Sequence, residues 1–436
     1  MKRPPCMLAA ALLGLCANAG ASETVLRADS PVFGDQYGQS VAIDGDLAVV
    51  GMPGDDSNAN DAGAAYVYRR TPTGWMVLQR LYGNQADAQF GYSVAVVRHP
   101  DSANADDVIA VGSRYGDGVV ASAGNVTMYR RIDPATTFAF EQTVATADGS
   151  GFDQFGYAIA LDLSVPGEST SGVPVYTLVV GAPYDESPGT GFDAGSVYVY
   201  QGPATGLGGW SPITKLLPSD IVGGDYLGRS VAIHGDLAIV GATGWSSGNN
   251  PEGVAYLLRR FYDSGAGYFN WEINSRLKAS DGTSGDRFGA RVAIDQVPVV
   301  SAPNAGNTGG GGAVYVFCCK ASIGYDLTES RKIAAPDPPN RTSFGTTLAT
   351  DGTLVMVGDA TYPGHLDVFR ANTSGIWSWS LAETTAIADS GANQADALAL
   401  ALPHALVGDP LRSGGGAAYL LSDSTLNDPV FRDGFE

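Results

Sequence analysis

The side chains with the clearest chemical potential in this chain are oxygen donors crowded into two polar stretches. Asp101, Asn104, Asp106 and Asp107 fall within seven residues, and Asp55, Asp56, Asn58, Asn60 and Asp61 fill a second window of the same length. Carboxylate and amide oxygens at that density are the donors from which a calcium ion draws its six to eight ligands. Calcium is therefore the one cofactor the residues suggest, and none is required, because polar surface loops commonly carry such residues with no metal. Other chemistry is thinly supplied. His99, His234, His365 and His404 stand far apart, with no pair at metal-ligand spacing. The Gly-x-Ser-x runs beginning at Gly38 and Gly228 open strands and do not form the strand-to-helix elbow of a nucleophile. Glycines 309 to 312 lack the Lys-Ser/Thr of a phosphate loop. No catalytic residue is assigned and an enzyme is not expected; carboxylates acting as a glycan hydrolase are the alternative.

The elements that must position these groups follow from an internal repeat, the first thing to seek in a chain of this length. Each copy opens on an aromatic-glycine pair and a strand: Tyr37-Gly38, Phe90-Gly91, Phe155-Gly156, Phe288-Gly289 and Phe344-Gly345, with Leu227-Gly228 as a variant. A tight turn follows at Asp44-Gly45, His234-Gly235 and Asp351-Gly352, and a second strand ends in glycine at Gly51, Gly112, Gly181, Gly241, Gly358 and Gly408. Copy five has Ser301 at that place. The two glycines are thirteen residues apart in Gly38 to Gly51, Gly228 to Gly241 and Gly345 to Gly358, so the intervening segment is one structural unit. A third strand carries small residues and a tyrosine (Tyr66, Tyr129, Tyr198, Tyr256, Tyr315, Tyr419), and a fourth runs from Trp75 to Leu81, Trp210 to Leu216 and Trp271 to Leu277.

Four short strands per copy and seven copies predict an all-β fold, a seven-bladed β-propeller with four antiparallel strands per blade. The seventh copy lacks a fourth strand after Tyr419, and Glu23 to Asp29 resembles one, so the N-terminal strand is expected to close blade seven and remove an open edge. The domain plan is a signal peptide over 1–21, the propeller over 22–422 and a C-terminal tail over 423–436. The signal reading rests on Lys2 and Arg3 before the apolar run Met7 to Leu15 and on the small residues Ala17 to Ala21. It implies export to the periplasm, cell surface or extracellular space. Cys6 and Cys16 leave with that segment, and adjacent Cys318 and Cys319 cannot build a disulfide framework.

Composition agrees. Glycine numbers 58 and charged residues make up only 16% of 436, the profile of a turn-rich globular β protein and not of a disordered or coiled-coil chain. The formal charge of −20 excludes nucleic acid and anionic membranes as natural partners, and no later segment reaches the length of a membrane helix. A monomer is expected. Strand alternation places the second-to-third and fourth-to-first loops on one face, which collects Asp29, Asp55, Asp56, Asp87, Asp185, Asp193, Asp220 and Asp281 among other acids. The opposite face receives Arg69-Arg70, Arg130-Arg131 and Arg259-Arg260, read either as a ring of exposed ion pairs or as an anion-binding surface. Asp35, Asp153, Asp225 and Asp286, each three residues before the repeat glycine, read as acceptors for nearby backbone N–H groups.

The complete Phe155-Gly156 and Gly181-Ala182-Pro183 copy, and its near-complete counterparts, resemble the FG-GAP repeat of integrin α-subunit headpieces and their bacterial relatives. The resemblance covers nearly the whole mature chain and implies a propeller displaying loops to a protein or glycan ligand. Many repeats of that family carry a calcium loop between the first two strands, which this chain replaces with a short turn. The expected function is an exported binding or surface-interaction module with an acidic loop face; a carboxylate-based hydrolase on that face and a purely structural extracellular protein are the alternatives.

Overall fold

The computed structural model describes residues 22–99, 106–133, 136–164, 174–187, 189–206, 208–246, 251–265, 268–295, 297–306, 311–319, 327–337, 343–359, 364–372, 378–386, 397–412 and 414–422. The predicted signal segment and tail lie outside these residues. Among the described residues, 28 strands form seven antiparallel sheets of four, six of them running outward in chain order from their first strand. The blades span 41–82, 90–144, 158–216, 227–277, 292–334 and 347–386, and the seventh joins 397–422 to Ser22–Leu26. First strands of successive blades are neighbours all the way round, including blade seven against blade one.

Closure takes the predicted form. Ser22–Leu26 pairs antiparallel with Ala417–Ser422, in register from Ser22↔Ser422 to Leu26↔Ala418. The last sheet thus gains its outermost strand from the other end of the chain, and the ring is fastened by backbone hydrogen bonds.

The core sits between blades. Second strands such as Leu47–Met52 and Asp107–Ser113 are buried at every residue, because sheet neighbours flank them and adjacent blades cover both faces. Side chains from facing blades merge into one apolar cluster per interface: Val108 and Met128 of blade two meet Phe155, Leu161 and Tyr176 of blade three. Each such side chain contributes roughly 1.5–3 kcal/mol on burial.

The aromatic-glycine pair makes the junction. Phe90 bridges in parallel to Gly63 of the preceding blade, and Tyr37, Phe155, Leu227, Phe288 and Phe344 repeat this with Gly416, Gly124, Gly195, Gly253 and Gly312. The rings then meet a third-strand tyrosine of their own blade edge-on, at 5.4 Å for Tyr37–Tyr66, 5.3 Å for Phe155–Tyr198 and 5.5 Å for Phe288–Tyr315. Gly91 is held at φ +89°, and a Cβ there would stand 2.2 Å from the Ala64 carbonyl oxygen. Across the same junction a Cβ on Gly51 would stand 2.0 Å from the Gly91 carbonyl oxygen. Two backbones approach too closely for any other residue, which is why the repeat carries glycine at both places.

Candidate functional site: the loop face and the channel mouth

Alternation of strand direction collects the second-to-third and fourth-to-first loops at one end of the ring. The acids of this face fall into three groups. Asp35, Asp153, Asp225 and Asp286 are buried, and each accepts a hydrogen bond from the backbone N–H three residues earlier: Val32 at 2.7 Å, Ser150 at 2.5 Å, Val222 at 2.8 Å and Thr283 at 2.8 Å. They shape the turns entering blades one, three, four and five. Burial raises the Asp35 and Asp225 carboxyls. For Asp153, burial together with Asp185 and Glu186 outweighs the Ser150 N–H and Lys215 and pushes the carboxyl up to about 6. Asp153 shares its turn position with Asp35, Asp225 and Asp286.

A second group is neutralised by cations of the fourth strand. Asp29 pairs with Arg80, Asp148 with Lys215 at 2.7 Å, Asp220 with Arg276, and Asp281 with Lys332 at 2.5 Å. Three of these cations lie over third-strand tyrosines, Arg80 over Tyr66, Lys215 over Tyr198 and Lys332 over Tyr315, while Arg276 covers Trp245. The tyrosine hydroxyls also donate to the acids, Tyr256 to Asp220 at 2.9 Å and Tyr315 to Asp281 at 2.9 Å. Sorting charges by loop overlooks these partners, because they stand in the last three residues of the fourth strand, opposite the third-strand tyrosines. The third group, including Asp56, Asp87 and Glu186, remains exposed.

The candidate calcium ligands separate. Asp55 is buried and accepts from the Ser57 N–H at 3.0 Å and the Ser57 hydroxyl at 3.1 Å. Asp56 accepts from the Asp61 N–H at 2.8 Å, Asn60 donates to Asp87 at 2.8 Å, and Asn58 donates to the Gly83 carbonyl at 2.9 Å. The Asp61 carboxyl is raised by burial and by the nearby Asp56 and Asp87. Among the described residues no three His, Cys, Asp or Glu side chains are grouped to hold a metal ion. In the other stretch, Asp101 and Asn104 lie outside the described residues, whereas Asp106 and Asp107 are buried between blades. Asp107 receives Arg131 at 3.0 and 2.5 Å; Asp106 lies 3.7 Å from Arg130 and accepts from the Gly206 N–H at 2.9 Å.

The basic pairs on the opposite face divide: Arg69 and Arg259 form partly exposed ion pairs with Asp46 at 3.5 Å and Glu272 at 2.6 Å, as the ion-pair reading expects, whereas other members are buried. Arg130, Arg131 and Arg260 are 1%, 1% and 2% exposed, neither a surface ring nor an anion-binding patch. Arg130 bonds Glu141 at 2.9 Å and lies over the Tyr176 ring, and Arg260 meets Asp236 at 2.6 Å. Each of the three meets an acid of its own blade, Glu141, Asp107 and Asp236, and the Tyr176 ring of the next blade covers Arg130. Lys320 lies outside the described residues.

The residues that sequence reasoning passed over line the mouth of the central channel. The residue after the repeat glycine points to the axis in four blades: Gln39, Tyr92, Tyr157 and Arg229 border a cavity of about 200 Å3, joined by Arg291 and backed by Val41, Val94 and Val231. The Tyr92 and Tyr157 rings are 5.2 Å apart, Arg114 lies 4.0 Å from the Tyr92 ring centre, and Arg229 lies 5.7 Å from that of Tyr157. Burial alone would raise the Tyr157 phenol, but Arg229, the hydrogen bond shared with Tyr92, Arg291 and Arg114 hold it below its ordinary range. Tyr92 moves the other way, raised by burial and by Tyr157. The available signal was the column of residues following the glycines, legible once the copies are aligned.

Around this mouth the loops expose large apolar side chains: Phe33 at 94%, Phe192 at 78% and Phe152 at 66%, with Val119, Val222 and Leu411 also exposed. Phe152 meets Tyr115 at 6.3 Å and Tyr184 meets Tyr226 at 5.5 Å, so aromatic pairs straddle successive loops. Trp245, in contrast, is buried under Arg276 and Lys278.

A closed ring of seven four-stranded sheets with an elaborated loop face defines a repeat propeller of the kind often used for ligand binding or surface interaction. Residues 22–68, 210–258 and 271–317 match the FG-GAP repeat, each match starting in the outermost strand of one blade and ending in the third strand of the next. Three matches to the FG-GAP repeat within a seven-bladed ring fit an FG-GAP propeller. No curated protein matches it. Among the described residues no helix is long and apolar enough to cross a membrane.

Proposed function

We propose that the chain is an exported, non-enzymatic binding module that presents its loop face, acids included, to a protein or glycan ligand as a monomer. The observation that carries this reading is the set of exposed phenylalanines, Phe33, Phe152 and Phe192, on three loops of one face. Folding gains nothing from apolar rings held in water, and three of them on one loop face that also carries exposed acids favour contact with a partner. Aromatic platforms suit both sugar rings and protein surfaces, and the exposed Asp56, Asp87 and Glu186 favour ligands with basic or hydroxyl groups. The test is binding of the purified mature protein to arrayed glycans and to purified extracellular proteins, repeated with Phe33→Ser, Phe152→Ser and Phe192→Ser combined. Loss of a wild-type signal with an unchanged melting temperature supports the reading; equal binding by the triple variant refutes it.

A further inference from the structure

The channel mouth gathers positive charge in a chain whose formal charge is −20. Arg229 and Arg291 line the cavity with Tyr92 and Tyr157, and Arg114 lies against Tyr92. Most other described cations are paired with acids: Arg69, Arg80, Arg131, Lys215, Arg276 and Lys332 each meet a carboxylate. Arg229 meets only the face of Tyr157 and makes no ion pair among the described residues, so most of its five N–H donors are left to the cavity.

Arg291 is there through a paired exchange. Ser40, Ser93 and Ser230 occupy its position in other blades, and their hydroxyls donate to the Gly91, Gly156 and Gly289 carbonyls of the next blade at 2.8, 2.7 and 2.7 Å. In those blades a Cβ on the second-strand glycine would strike that serine hydroxyl, at 2.3 Å for Gly51 and 2.5 Å for Gly241. Blade five has Ser301 in place of that glycine, and its hydroxyl accepts from the Arg291 N–H at 3.0 Å. The serine has in effect moved from the first strand to the second, which releases residue 291 to carry a guanidinium at the axis.

We propose that this mouth is a binding site for one compact oxyanion, a carboxylate or a sulfate- or phosphate-type group, held by Arg229 and Arg291 and faced by the Tyr157 and Tyr92 hydroxyls. Guanidinium forks match such oxygens in two-point geometry, and the apolar backing strengthens the attraction by excluding water. The depressed Tyr157 phenol reports the same positive potential. The loop acids around the mouth repel extended polyanions, so the site selects a single anionic group. This inference goes beyond the loop-face reading and stands or falls separately, since a free anion needs no phenylalanine.

The experiment is isothermal titration of the full mature chain with sodium sulfate and, separately, sodium acetate at constant ionic strength, on wild type, Arg229→Gln and Arg291→Ser. The Arg291→Ser chain also carries Ser301→Gly, which restores the serine-glycine combination of the other blades and guards against a misfolded Arg229→Gln. Saturable binding of either anion, weakened about tenfold or more in the variants, is expected from the loss of a charge-assisted hydrogen bond. Sulfate alone identifies a tetrahedral ligand, acetate alone a carboxylate, and both a site for either; each outcome supports the proposal. Anion loading also moves the lowest phenolic titration upward, a change absent in Tyr157→Phe. Absence of saturable binding by wild type, or unchanged affinity in the folded variants, overturns it.

Discussion

Replacing Asp107 by asparagine separates its two readings, calcium ligand and ion-pair partner. The carboxylate is 1% exposed, and Arg131, also 1% exposed, approaches its Oδ2 through Nε at 3.0 Å and Nη2 at 2.5 Å. The amide keeps the shape and can still accept from the His99 N–H, which meets Oδ1 at 3.2 Å. It leaves the guanidinium without its counter-charge at the interface between blades. Removing one partner of a buried pair costs about 3–5 kcal/mol. With an unfolding entropy of ~2.1 cal/mol/K per residue over the roughly 400 residues from Ser22 to Ser422, this lowers the melting temperature by about 4–6 °C if the ring unfolds as one unit. The assay is calorimetric melting of wild type and Asp107→Asn, each in EDTA and in millimolar calcium. The expected drop is the same in both solutions. Pairing Asp107→Leu with Arg131→Met removes both charges and is expected to recover most of the loss, because an apolar pair of similar volume avoids the desolvation cost. A drop that appears only in calcium, or a shift in EDTA below about 1 °C, refutes the ion-pair argument.

Gly91→Ala is expected to destabilise more than an ordinary surface substitution, since φ +89° and a contact of 2.2 Å with the Ala64 carbonyl oxygen must both be relieved; chemical denaturation of the variant, with a loss of at least about 1–2 kcal/mol, checks it. Asp153, raised to about 6 in the folded protein, contributes stability that is full below the ordinary carboxylate range near 3.8 and is lost as pH rises through about 6. Melting temperatures across pH 4 to 8 are therefore expected to fall more steeply in that window for wild type than for Asp153→Asn, and parallel curves would contradict the assignment. Wild type itself is expected to melt at the same temperature in EDTA and in millimolar calcium, since Asp55, Asn58 and Asn60 already spend their side chains on neighbouring groups; a clear rise in calcium would restore the metal reading of the 55–61 loop.

The fold was legible in the sequence because its rules are local and repeated. An aromatic-glycine pair, a glycine thirteen residues later and a tyrosine strand record a backbone approach that every junction must make, so the copies report one another. Even closure could be read, since a seventh copy short of a strand and a spare N-terminal strand leave few pairings. Aspartates preceding the repeat glycine were also legible, because their backbone partners lie only three residues away. Contacts between blades decided the rest. Whether Arg130 faces water depends on the next blade, whose Tyr176 ring and Pro203 carbonyl cover it, while Glu141 and Asp107 of the same blade pair with Arg130 and Arg131. Whether loop acids are bare depends on fourth-strand cations such as Lys215, 67 residues from Asp148. The channel mouth is the clearest case. Tyr92, Tyr157, Arg229 and Arg291 belong to four blades and mean little singly; only the closure of the ring brings them to one axis, where their charges and rings act on one another.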